Sequence, residues 1–186
     1  VQTAPGVFSE LFFTAHQLDQ SSFIDAPGLV ALDNKPLNPH PIINDIVLAT
    51  KVVPNPFAPV IGDARPVTIQ AANNLSFATK TIKAKAGETL ALTFDNPDVV
   101  PHNWALLKPG TLPRVGALAN KLISDPEAAI KQYIPDTTDV IAFTDIVLPK
   151  QQFTIYFTVP EQPGKYPYLC TFPGHWLVMN GILEVE

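Results

Sequence analysis

The stretch CTFPGHWLVMNG, Cys170 to Gly181, holds the only cysteine and the only methionine in a chain of 186 residues. One of the four histidines stands between them, in the spacing Cys170-x4-His175-x3-Met179. Thiolate, imidazole and thioether are all metal-binding groups, so this window reads as a ligand loop. Cys170 closes an apolar run that begins at Lys165. Pro173-Gly174 can turn the chain so that His175 faces back toward the sulfur. Met179 stands just before a final apolar run, Ile182–Val185. Three ligands leave one coordination position open, and His102 in Pro101-His102-Asn103-Trp104 is the best candidate to fill it. His40, between two prolines, reads as an exposed turn residue, and His16 as surface or local packing.

Two imidazoles, one thiolate and a weak axial thioether are the ligand set of blue-copper sites. The soft sulfurs favour Cu(I) and the imidazoles suit Cu(II), so an intermediate geometry serves both oxidation states. Structural zinc is more often held by Cys and His without Met, and one cysteine cannot support an iron–sulfur cluster. The expected cofactor is a single type 1 copper ion.

Outward from this loop the sequence reads as short strands. Twenty prolines in 186 residues break helix interiors but suit strand starts, edges and turns. Alternating apolar residues mark Pro66–Ala71, Thr89–Asp95 and Gln152–Val159, the last with Phe153, Ile155, Phe157 and Val159 facing inward. Further strands are expected at Leu75–Phe77, Thr81–Ala84, Pro101–Leu107, Val140–Val147, Lys165–Cys170 and Ile182–Val185. Between Leu112 and Thr138 this rhythm stops. Ser124 and Glu127 have capping-box spacing with Pro126 in the first turn, which predicts a short helix running to about Tyr133. The pattern implies an all-β, Greek-key sandwich or barrel with a short helical insertion. Residues 1–63 differ in texture: they are Pro-rich and irregular, with apolar runs at Val7–Phe13 and Ile42–Val53. They are expected to be an N-terminal extension of unassigned role before a domain at 64–186.

Composition removes other classes. Apolar residues at 46% against 16% charged describe a folded protein rather than a disordered one. A net charge of −5 without basic runs argues against nucleic acid as a partner. No apolar run reaches the length of a transmembrane segment.

At Cys170-Thr171-Phe172-Pro173-Gly174-His175, with Met179 four residues on, the sequence resembles the cupredoxins, specifically their azurin and auracyanin branch. His102-Asn103-Trp104 is similar to the azurin segment bearing the upstream histidine. The likeness covers roughly Arg65 to Glu186. It implies that His102, Cys170 and His175 hold copper in a trigonal plane and that Met179 sits axially. It also implies that the backbone amides of Asn103 and Phe172 hydrogen-bond the sulfur, and that the Asn103 side chain ties the two ligand loops together. Pro101 stands where azurins have a glycine whose carbonyl is a second axial neighbour, and a one-cysteine chain has no azurin disulfide.

The implied function is one-electron transfer between redox proteins such as c-type cytochromes or oxidoreductases, not enzymatic catalysis, in the periplasm or outside the cell. His175 is the expected exit for the electron, within a docking face of Val99, Val100, Pro173, Trp176 and Leu177. Two alternatives stand beside this reading. One is a copper-binding or delivery protein; the other is an electron-transfer module that is fused to further domains, or tethered to a membrane, in a longer protein.

Overall fold

The computed structural model describes residues 54–60, 62–72 and 74–186, of which Pro54–Glu186 belong to one compact unit. The early runs Val7–Phe13 and Ile42–Val53, together with His16 and His40, lie outside the described residues.

Nine strands are described: β1 (Arg65–Ala72), β2 (Ser76–Phe77), β3 (Thr81–Ala84), β4 (Thr89–Asn96), β5 (Ala105–Leu107), β6 (Val140–Phe143), β7 (Gln151–Thr158), β8 (Gly164–Leu169) and β9 (Asn180–Val185). They form two sheets, ordered β2-β1-β4-β7 and β3-β9-β8-β5-β6. The chain leaves the first sheet after β2, adds β3 to the second, and returns to lay β4 parallel to β1. This crossing between sheets makes the protein a sandwich of the all-β class expected from its sequence.

Period-2 patterning fixes which face each strand turns inward. In β4, Leu90, Leu92 and Phe94 are buried while the residues between them are half-exposed. The β4–β7 register sets Leu92 opposite Ile155 and Phe94 opposite Phe153. From the other sheet come Leu106, Tyr168 and Leu183, buried in the same core as Trp104 and Met179. The Tyr168 ring lies across β9 at Gly181, its register partner. A Cβ there would sit 2.3 Å from Tyr168 Cζ, so only glycine admits the ring. The Tyr168 hydroxyl donates to the Thr79 carbonyl at 2.7 Å, which fixes the ring in that position.

Residues 54–57 strap the open side of the sandwich. Asn55 Nδ2 donates to the Phe143 carbonyl and to Asp145 Oδ1 at 3.0 and 2.8 Å. Phe57 packs edge-on against Phe143, and its carbonyl accepts from the Tyr156 N–H of β7, an edge strand. An edge strand that would otherwise offer unpaired backbone groups is thereby partly covered.

Two expectations from sequence are corrected. The helix is α1 (Leu112–Lys121), followed by a 3-10 turn at Leu122–Ser124; residues 126–133 form turns instead. Ser124 Oγ donates back to the Lys121 carbonyl rather than capping, and Asp125 Oδ1 accepts the Glu127 N–H in its place. Gln132 and Tyr133 then take left-handed conformations, φ 55° and 56°, which no helix continues. In α1, Pro113 sits in the first turn, and Val115, Gly116 and Ala119 form the buried stripe. The second correction concerns His102. It lies before β5, in an isolated bridge with Val147, not within a strand starting at Pro101. Pro101 has no N–H to give, and the Trp104 N–H goes to the Thr144 hydroxyl instead of a ladder partner. That same hydroxyl contact ends the expected Val140–Val147 strand at Phe143.

Candidate metal centre

His102, Cys170 and His175 meet at one end of the sandwich, with one potential ligand atom from each lying within 4.8 Å of the others. Each is placed by a different local device. His102 exchanges both backbone hydrogen bonds with Val147, at 3.2 and 2.7 Å. Cys170 follows directly on β8, and its N–H bonds the Met179 carbonyl at 3.0 Å across the base of the loop. His175 opens a 3-10 turn, His175–Leu177, after Gly174 at φ 85°, a left-handed conformation that glycine adopts without strain. Met179, fully buried, returns its own N–H to the His175 carbonyl at 2.9 Å. The ligand loop is thus closed on itself by its backbone.

The donor atoms converge. Nδ1 of His102 lies 3.1 Å from Nδ1 of His175, and Cys170 Sγ lies 3.8 and 3.7 Å from those two nitrogens. A triangle of these sides has its centre about 2 Å from every corner, which is the length of a metal–nitrogen or metal–sulfur bond. Two imidazole lone pairs and a sulfur aimed at one point repel each other unless a cation lies among them. The residues therefore fit copper, and the nitrogen–sulfur set is the one that selects it.

Burial controls the protonation of the set without metal. The Cys170 thiol is pushed up to about 12 by its complete burial, against which hydrogen bonds from the Asn103 and Phe172 backbone work in the opposite direction. Both imidazoles are held below their ordinary value, chiefly by burial. Neutral imidazoles are what a metal requires, and metal binding must displace the thiol proton.

Asn103 joins the two ligand segments. Its side-chain oxygen accepts the Thr171 N–H at 2.8 Å, and its amide donates to Thr171 Oγ1 at 2.7 Å and to the Gln132 carbonyl at 3.0 Å. The Phe172 ring lies between the Tyr133 and His175 rings, its centroid 4.9 Å from each and its plane tilted by 48° and 43° to theirs. The left-handed pair Gln132-Tyr133 thus delivers a carbonyl to one ligand segment and a ring to the other. Pro101, beside His102, is half-buried.

Trp176 lies against α1. Its ring covers Gly116, where a Cβ would come within 2.2 Å of the indole, and its N–H donates to Asn120 Oδ1 at 3.2 Å. The same oxygen accepts the Gly174 N–H at 3.0 Å. Val99 and Leu177 are 77% and 64% exposed, as an apolar contact face would require, while Val100 and Pro173 are half-buried. Sequence reasoning missed Val178, also exposed, and the helix contacts Gly116 and Asn120. It also missed Asp98, whose carboxylate meets His102. Only the four-residue separation of Asp98 from His102 hinted at that pair.

Two histidines and a buried cysteine converging at the end of a two-sheet sandwich define a type 1 copper site of the cupredoxin kind. The family described as "Copper binding proteins, plastocyanin/azurin family" matches residues 65–186. Auracyanin-A of Chloroflexus aurantiacus is 34% identical over 126 residues, covering 65% of this chain and 75% of that protein. Auracyanin-B of the same organism is also 34% identical over 126 residues, but the match spans about half of its length, 52%. The solved structure of auracyanin A, titled a "blue" copper protein, superposes with a TM-score of 0.60 at 31% identity, over 67% of this chain and 100% of that one. The chain belongs to the plastocyanin/azurin family, on its azurin and auracyanin branch, and is a copper protein of electron transfer.

Proposed function

We propose that this protein is a one-electron carrier in which His102, Cys170 and His175 would hold the copper, with Met179 as the fourth residue that would bind it. The observation that carries this assignment is the triangle of two Nδ1 atoms and one Sγ around a single point, in a loop whose backbone ties fully buried Met179 to Cys170 and His175. Bound copper supplies the redox chemistry by cycling between Cu(II) and Cu(I). The chain orients the ligands, excludes water and sets the local electrostatics. N–H groups directed at the sulfur stabilise the more negative, reduced state and so raise the potential.

Electrons enter and leave at His175, the half-exposed ligand, through a docking face of Val99, Val100, Pro173 and Leu177 with the outer edge of Trp176. Val178 extends this face. An apolar surface around an exposed ligand edge suits brief encounters with redox proteins such as c-type cytochromes. An exported location accords with the family. None of the described helices is long and apolar enough to cross a membrane. We assign the electron-transfer domain to residues 64–186, preceded by an extension at 1–63.

The test is spectroscopic. The copper-loaded protein should be intensely blue, and ascorbate should bleach it reversibly. Cys170→Ser should abolish the colour while copper still binds weakly. A colourless Cu(II) complex of the unaltered protein would overturn the assignment.

A further inference from the structure

Asp98 is a buried carboxylate that the family's ligand set does not account for. It stands in the loop after β4, and its Oδ2 lies 3.2 Å from His102 Nε2, a side chain with no exposure at all. Its other oxygen accepts the Val99 N–H at 2.7 Å. The loop is anchored from below by buried Asn96, whose Oδ1 accepts the Asp98 N–H at 3.1 Å. The Asn96 amide donates to the carbonyls of Val100 and Val147 at 2.9 and 2.8 Å. Val147 is also the backbone partner of His102. Carboxylate, loop and histidine are therefore held as one unit.

An ionised carboxylate can only accept hydrogen bonds. Asp98 Oδ1 already accepts the Val99 N–H, so Oδ2 is the oxygen left to accept from His102 Nε2. The proton of neutral His102 must then reside on Nε2, which leaves Nδ1 with a bare lone pair. Nδ1 is the atom that faces the Cys170 sulfur and His175.

We propose that Asp98 is a positioning residue that selects the ligating nitrogen of His102 and, through that ring, places a fixed negative charge next to the metal site. This rests on the copper reading. The negative charge favours Cu(II) over Cu(I), so Asp98 holds the potential down, opposing the N–H groups on the sulfur. Lys150, exposed and donating to the Pro97 carbonyl, offsets the charge only in part, because water screens it.

Two variants separate charge from hydrogen bonding. Asp98→Asn keeps an acceptor for Nε2–H but removes the charge. Asp98→Leu removes both. In nitrogen-15 NMR of the copper-free protein, His102 should be the Nε2–H tautomer in the unaltered chain and in Asp98→Asn, and a mixture in Asp98→Leu. On copper loading, Asp98→Asn should stay blue with a raised potential. Asp98→Leu should bind copper roughly 10- to 100-fold more weakly. A single unchanged tautomer in Asp98→Leu, or an unchanged potential in Asp98→Asn, would overturn the proposal. The tautomer result is independent of the colour test, since a colourless but correctly tautomeric protein would sink the copper reading and leave the dyad standing, whereas the potential result tests the two together.

Discussion

Met179 is the ligand candidate whose influence can be varied with least disturbance to the fold. It is fully buried and pinned by its backbone to Cys170 and His175, so its side chain can change while the loop keeps its course. Leucine has nearly the same volume, and such a swap costs less than about 1.5 kcal/mol of stability. Met179→Leu should leave the blue colour intact, because the thiolate remains. Cu(II) prefers a higher coordination number than Cu(I), so loss of the weak fourth donor costs Cu(II) more and the potential should rise. A tenfold shift in relative affinity corresponds to about 59 mV for a one-electron couple; redox titration reads it directly, and a lowered potential would contradict the proposed part of Met179 in holding the metal. At this scale the sequence was informative where ligands were rare and close together. Cys170, His175 and Met179 fall within ten positions, and no folding is needed to bring them near. His102 was found by its ligand chemistry and its neighbours. Asp98 was not found, because one acidic residue in a turn is ordinary until its oxygen is seen 3.2 Å from an imidazole.

The element that most affects the ligand loop without supplying a ligand is α1. Gly116 on its buried stripe makes room for Trp176, and Asn120 accepts from both the indole and the Gly174 N–H. An alanine at a helix interior normally gains up to about 1 kcal/mol over glycine. Here the added methyl would meet the indole at 2.2 Å, so the ring must leave and forfeit its packing and hydrogen bond. Gly116→Ala should destabilise the protein by about 1–3 kcal/mol despite its better helix propensity, with tryptophan emission shifted to longer wavelength. In a double-mutant cycle with Trp176→Ala, most of that cost should vanish, because the clash is gone. Additive costs in thermal unfolding would mean that the two residues do not interact. The helix itself was misplaced from sequence for a physical reason. Ser124-x-x-Glu127 has the letters of a capping box, but the Ser124 hydroxyl finds the Lys121 carbonyl first. The true helix carries a mid-helix glycine that lowers its propensity and makes sense only against Trp176.

Across the whole molecule, the apolar residues at the His175 end point to association without long-range charge steering. Leu177, 64% exposed and not packed into the core, is the place to test this. Leu177→Glu should leave the absorption spectrum and potential unchanged while slowing electron exchange with an acidic or apolar redox partner by roughly tenfold, the equivalent of about 1.4 kcal/mol of lost encounter stability. Its rate should also become more salt-dependent than that of the unaltered protein, since a charge has been placed in the contact. Stopped-flow kinetics over a range of ionic strength measures both; an unaltered rate would remove this surface from the electron path.

Local chemistry in the chain determined the metal, the ligand loop and the all-β class. Sulfur and imidazole at short spacing specify their metal before folding, and period-2 alternation with frequent proline permits few other plans. Contacts between residues far apart in sequence decided the rest. The structure set His102 in an isolated bridge, not a strand, because Thr144 takes the Trp104 N–H. It turned Trp176 onto α1, because Gly116 lacks the Cβ that would meet the indole. It also paired Asp98 with the buried face of His102. None of these follows from pattern, since each depends on which hydrogen-bonding group or cavity the tertiary packing brings within reach.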